Sequence, residues 1–274
     1  MLHAFRQSRG ASMGELGKTG ARSRRQMLAA FAAGGGALVT ACGRSPALAA
    51  PAPAAPALPA QGAESMPRAL AGGHALVPLP FAPGALNGLS ERMIASHHEK
   101  NYGGAVRNLN RVESELAHVT PETPPFVVAA LRERELTFRN SKTLHEAYFQ
   151  NLGGDGRRSG AIEGALSQAY GSTARWEQWT RATAMGLGGG SGWVVLYYEV
   201  DTGALRTVGS AGHPQALASG VPLLVLDMYE HSYQIDFGAS VERYLDAFFA
   251  NVNWDAVNAR LALAQQMNAI LRRG

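Results

Sequence analysis

Cysteine is almost absent from this chain of 274 residues: Cys42 is the only one, so no intramolecular disulfide can form. No internal repeat is found, and no basic stripe interleaved with aromatics. The formal charge of +4 does not create one. Six of the basic residues (Arg6, Arg9, Lys18, Arg22, Arg24 and Arg25) lie within the first 25 positions, with Glu15 the one acid there. Subtracting that stretch from the 25 basic and 21 acidic residues of the whole leaves 19 and 20, a net charge of −1. The positive balance therefore belongs to a leader and not to a nucleic-acid surface, and no nucleic acid is expected as a partner. Long apolar runs are also missing. The run from Met27 to Ala41 is too short and too rich in Ala and Gly for a confident membrane span.

What that run does resemble is the core of an export signal. Ser23-Arg24-Arg25-Gln26-Met27-Leu28 resembles a twin-arginine motif. The run ends in Leu38-Val39-Thr40-Ala41-Cys42-Gly43, which resembles a bacterial lipobox, with Cys42 lipidated as the new N-terminus. Cleavage after Ala47-Leu48-Ala49 is the competing reading, and an uncleaved anchor a third. The first two give export, to the periplasm or cell envelope, and the first adds a membrane anchor at Cys42. Residues 1–42 are read as the export signal. Residues 43–74, rich in Ala and Pro, lack periodic apolar faces and are read as an extended tether.

The rest divides into an N-terminal helical part, 75–160, and an α+β part, 161–274. Ser90 is expected to cap a helix over about 91–116. Thr123-Pro124 is expected to start another, with Pro at its first position, running to about Leu152 with a break near Asn140-Ser141. Tyr148, Phe149 and Leu152 follow His145 at helical spacing, so His145 points into packing. Ser172 is expected to cap a helix carrying Trp176 and Trp179, both read as core. Trp193–Tyr198 and Ala204–Val208 read as a hairpin around Asp201-Thr202-Gly203, and Val221–Leu226 as a third strand. Val241, Tyr244, Leu245, Phe248 and Phe249 have helical spacing, and Trp254–Leu271 forms a last helix. The fold class is α+β: an α-helical hairpin, then a three-stranded antiparallel sheet flanked by helices.

Three imidazoles and one carboxylate stand out in this frame: His97, His145, Asp227 and His231. Such a set suits a borderline metal. A histidine on an apolar helix face is more often core or capping than ligand, so the contexts matter. They are Ser96-His97-His98-Glu99-Lys100, Leu144-His145-Glu146-Ala147-Tyr148-Phe149, and Asp227-Met228-Tyr229-Glu230-His231 after a strand. In this order they resemble the iron/manganese superoxide dismutase family. Leu79-Pro80-Phe81, Asn108-Leu109-Asn110, Gly190-Ser191-Gly192-Trp193 and Asn251-Val252-Asn253-Trp254 extend the resemblance over about 76–272.

The resemblance implies one Fe or Mn ion per subunit, held by those four residues in a roughly trigonal-bipyramidal site with water or hydroxide as fifth ligand. It implies superoxide as substrate, and a homodimer in which Glu230 of one subunit hydrogen-bonds His231 of the other. Such a carboxylate would fix the imidazole's tautomer and raise its basicity. His98 is not carried over as a ligand, and His3, His74 and His118 are read as ordinary structural residues.

The surroundings depart from the family. Its gateway tyrosine is Ala105 here, its nearby histidine is Asn101, and that histidine's tyrosine partner across the dimer is Gln234. Two tryptophans become Phe149 and Tyr229, which remain aromatic walls. A glutamine that binds the metal's solvent becomes Ser141 in one alternative position and His213 in the other, so His213 is a candidate donor to that solvent. Tyr102 is expected to face elsewhere on its helix. Two functions follow: an envelope superoxide dismutase, or a non-catalytic, lipid-anchored metal-binding or interaction module that keeps the fold.

Overall fold

The computed structural model describes residues 67–273. The twin-arginine and lipobox-like segments, Cys42, most of the tether and His3 lie outside the described residues. Among the described residues no helix is long and apolar enough to cross a membrane.

The packed chain starts upstream of position 75. The Gly72 N–H donates to Glu113 at 3.0 Å, and the backbone of His74 is paired on both sides by Asn110 at 2.9 Å. Helix α1 is Glu91–Ser96. Ser90 caps it as expected, its Oγ accepting from Met93 N–H at 3.1 Å. The same serine is fixed from the far end of the chain, since its N–H and Oγ both donate to Asp236.

The expected single helix is not uniform. His97–Tyr102 forms a π-helical turn, and the regular helix resumes as α2, Gly103–Ala117. Gly103 N–H reaches back five residues to His98 O. In such a turn residues five apart share a face, which α-helical periodicity does not anticipate. α3 spans Pro125–Gln150 without the expected break. Pro124 stays extended because the residue before a proline is pushed out of the α region, so the helix starts one residue later than the sequence implied. Asn140 does not disrupt the helix because its side chain is engaged elsewhere, donating to His213 O at 2.9 Å.

α4, Ala161–Tyr170, has no counterpart in the sequence reading; glycines with positive φ, Gly160 and Gly171, close it at both ends. α5, Thr173–Leu187, is capped by Ser172 as expected. Trp176 is fully buried, but Trp179 is 55% exposed, so only the first of that pair is core. Trp179 sits at the margin of the buried face, edge-on to Tyr170.

Three antiparallel strands follow: β1 Trp193–Glu199, β2 Leu205–Ser210 and β3 Gly220–Asp227, in the order β2-β1-β3. Central β1 is buried along its whole length. The register against β3 slips once between Leu196 and Tyr197, leaving Leu223 as the extra residue, with Pro222 tolerated on an edge strand. Gly192 enters β1 at φ +147, and a Cβ there would run into the Ser210 carbonyl. That tight entry sets Trp193 opposite Asp227 at the end of β3.

α6 Gln234–Phe237, α7 Val241–Ala250 and α8 Trp254–Leu271 complete the chain. Phe248 and Phe249 are buried as expected. The observed class is the α+β arrangement the sequence implied. One continuous apolar cluster runs from Leu86 on the helical side through β1 and β3 to Ala264 on α8. The C-terminal half of α3 packs onto this core through Leu144, Ala147, Tyr148 and Phe149, while Phe126 near its start is 74% exposed.

Candidate metal centre

Four elements converge beside Trp193 at the start of β1. The π turn brings His97, α3 brings His145, the end of β3 brings Asp227, and the short turn after it brings His231. One potential ligand atom from each lies within 4.8 Å of all the others. Asp227 Oδ2 is the common point: it stands 3.1 Å from His97 Nε2, 3.3 Å from His231 Nε2 and 3.6 Å from His145 Nε2. Asp227 is completely buried, and its other oxygen accepts from Tyr229 N–H at 2.8 Å. Its main-chain carbonyl accepts from both Ser232 Oγ and Tyr244 Oη, so the strand end is held from behind.

The tautomer of His145 is set. Its Nδ1 can only donate to the Ser141 carbonyl, at 2.7 Å, which leaves a lone pair on Nε2. That Nε2 is buried with no hydrogen-bond partner, and so is Nε2 of His231. Buried nitrogens without partners are uncommon because each forfeits its solvation. Two of them turned toward one buried carboxylate make a donor set that fits a divalent or trivalent ion of the manganese or iron kind.

The protonation states agree. Burial drives the His145 pKa down to about 3, with repulsion from His97 adding to it. Burial also lowers that of His97, against the opposing pull of Asp227. Asp227 moves well below the ordinary carboxylate range: burial alone would raise it, but the imidazoles of His231 and His97 outweigh that. The neutral forms of His97 and His145 beside an ionised Asp227 are the forms that ligate metals.

Aromatic rings wall the cluster. Phe149 meets His97 edge-on at 5.0 Å, and Tyr148 packs next to Phe149, tilted against the same imidazole at 5.1 Å. Tyr229 lies stacked between His213 and His231, at 4.8 and 5.4 Å. His213 accepts Trp193 Nε1–H on its Nδ1 at 2.9 Å, so the neutral ring carries its proton on Nε2. Burial lowers the pKa of His213, which favours that neutral form. The tryptophan that fixes His213 stands in the Gly190-Ser191-Gly192-Trp193 motif at the entry to β1, but nothing in that motif signals its hydrogen bond to the loop histidine.

The cluster opens to solvent through a recess of about 250 Å³ lined by Lys100, Asn101, Ala105, Ser141 and His213, with His145 and His231 also on its wall. Two larger recesses lie elsewhere on the surface and hold none of the four clustered residues. Asn101 is thus at the mouth. Gln234 begins α6 and is exposed, and no hydrogen bond joins it to Asn101 among the described residues. Glu230 is exposed beside His231, whose side chain is 27% accessible. His98, expected not to be a ligand, donates from Nε2 to the Val77 carbonyl at 2.8 Å. His74 pairs with the buried Glu113, and His118 with Ser114 O.

A helical hairpin packed on a three-stranded antiparallel sheet, with a buried cluster of three histidines and an aspartate where they meet, defines the class: an α+β protein built around a candidate metal centre. Residues 158–260 match the C-terminal domain of iron/manganese superoxide dismutases. The chain is 44% identical over 192 residues to the iron superoxide dismutase of Cupriavidus metallidurans, covering 70% of this chain and 98% of that protein. It is 34% identical over 200 residues to manganese superoxide dismutase 2 of Haloferax volcanii, covering 71% and 98%. With the iron superoxide dismutase of Aquifex pyrophilus it shares 32% over 211 residues, covering 73% and 98%. The chain belongs to the iron/manganese superoxide dismutase family.

Proposed function

We propose that this protein is an exported superoxide dismutase of the cell envelope, holding one Fe or Mn ion through His97, His145, Asp227 and His231. The observation that carries this is the pair of buried, unpartnered imidazole nitrogens facing Asp227. When bound, such an ion accepts and donates single electrons, so that two superoxide ions and two protons give dioxygen and hydrogen peroxide.

The chain's own residues do the rest. Asp227 offsets cationic charge at the centre and orients its neighbours through Oδ2. Lys100, at the rim of the recess, draws in an anion. His213, aimed by Trp193, holds a proton on Nε2 at the recess wall and can donate it to solvent there. Tyr229 and Phe149 keep the imidazoles in place and water out on the remaining sides. A second copy of the chain would pair Glu230 with His231, which this subunit leaves accessible, and would bring Gln234 to Asn101. The leader and Cys42 are read as export and lipid attachment to the envelope membrane.

Ala105 favours a second reading. With no group there to donate or relay a proton, the chain would be a lipid-anchored metal-binding module that keeps the fold. The deciding experiment loads the full chain separately with iron and with manganese, then measures bound metal and superoxide removal on the same samples. Activity that tracks one metal supports the dismutase and names its cofactor. Stoichiometric metal without activity supports the module. No metal uptake by either route refutes both.

A further inference from the structure

Tyr102 is fully buried and does not face away from the cluster, as α-helical spacing implied. The π turn puts it on the face of His97, five residues before it. Its ring lies over the imidazole of His145, centroids 6.2 Å apart and planes within 24°. Its hydroxyl donates to Glu146 Oε1 at 2.6 Å and accepts the Val77 backbone N–H at 2.9 Å. Val77 is gripped at its other end too, because its carbonyl accepts from His98 Nε2. Two side chains of the π turn thereby clamp the backbone of one residue. Glu146, next to His145 on α3, is held from the other side by Lys142 at 3.0 Å. Upstream, Gly72 and His74 are pinned to Glu113 and Asn110 on α2.

We propose that Tyr102 is a positioning residue of the metal centre, fixing the plane of His145 and the spacing between the π turn and α3, with the strap 72–77 as its anchor. This rests on the metal-site reading above. His145 is otherwise tethered by the hydrogen bond from Nδ1 to Ser141 O, about which an imidazole can still pivot. Trp193 stands edge-on to the ring at 5.1 Å, and His231, Tyr102 and Phe149 lie near-parallel to it at 5.9, 6.2 and 6.5 Å; of these three, Tyr102 is the one hydrogen-bonded to Glu146, the residue after His145. The Tyr102 hydroxyl is the joint where three segments meet: the strap, the element carrying His97, and the helix carrying His145. A chain entering from the tether is thus connected through one phenol to two candidate ligands.

The test uses the full chain in two states. In the metal-free state, the exchange of the His145 Nδ1 proton with solvent is followed by nitrogen-resolved NMR. In the metal-loaded state, release of manganese to a chelator is timed. Tyr102→Phe keeps the ring but removes the joint. It is expected to speed the exchange severalfold and the metal release about tenfold, the range for changes one layer out from a ligand. Glu146→Gln keeps an acceptor for the phenol and is expected to stay near the parent in both. Glu146→Leu is expected to behave like Tyr102→Phe, and carries the test if that variant does not fold. A Tyr102→Phe chain that melts at lower temperature with exchange and release unchanged would make Tyr102 ordinary core and overturn the proposal. A parent chain that takes up no metal would refute the metal-site reading alone, and the proton exchange still decides on Tyr102.

Discussion

Acidifying the metal-free protein from pH 6.5 to 4.5 should strip much of its stability through two buried imidazoles. In the unfolded chain a histidine takes up a proton near pH 6.5. In the folded chain His145 is 1% exposed and stays neutral down to about pH 3. Between those limits the unfolded state binds a proton that the native state refuses, so stability falls as pH falls. The slope is about 1.4 kcal/mol per pH unit for each such group. Starting from the unfolded pKa itself, where the slope is half its full value, His145 alone costs about 2 kcal/mol by pH 4.5, and His97 shifts in the same direction. Asp227 adds to the loss only further down: its pKa is depressed by folding, so the unfolded carboxylate protonates first as pH drops below about 4. Against a typical total of about 5–15 kcal/mol, the imidazoles are a large fraction. Urea midpoints by circular dichroism at several pH values, with chelator present, measure the slope. His145→Gln should flatten it by about 1.4 kcal/mol per unit, whatever the variant does to absolute stability. A stability that is constant from pH 6.5 to 4.5, or a slope that His145→Gln leaves unchanged, would refute the reasoning.

Other outcomes follow from single contacts. His145→Ala should abolish metal uptake measured by elemental analysis; unchanged metal content would mean the four residues are not the site. Ser90→Ala removes both the cap of α1 and a tie to Asp236, and should lower the urea-unfolding free energy by about 1–2 kcal/mol. His213→Phe leaves the Trp193 N–H without an acceptor and should cost about 1–3 kcal/mol in the same assay. Ala105→Tyr places a phenol in the recess of about 250 Å³ and should weaken azide binding to the metal-loaded chain severalfold in a titration.

Some of this was legible in the sequence for definite reasons. The strands announce themselves because β1 is buried on both faces and reads as an unbroken β-branched and aromatic run. The last helix falls on Trp254–Leu271 as read, because Asn253 supplies a side-chain cap at its start. The four clustered residues were legible from their local contexts taken together. What was not legible depends on partners far away in the chain. α3 runs through Asn140 because His213 offers that amide a carbonyl. Trp179 has a core side chain at a position where the packed face ends. The π turn leaves no mark in residue type, and without it Tyr102 is assigned to the wrong side of the helix. α4 is short and closed by glycines, and its buried pair Ile162 and Leu166 is too brief a period to register alone.

The cluster also joins distant parts of the chain: His97 and Asp227 are 130 positions apart, yet their side chains meet. An ion shared between them would act as a staple on the unfolded ensemble, closing a loop of that length. For a covalent link the chain-entropy account of such a closure gives about 5 kcal/mol. The described part of the molecule contains no cysteine, so this staple would do there what a disulfide does in other folds. Reductants would leave it intact and chelators would open it. Resistance to unfolding would then be set by the supply of free metal around the protein, and not by the redox poise of its compartment.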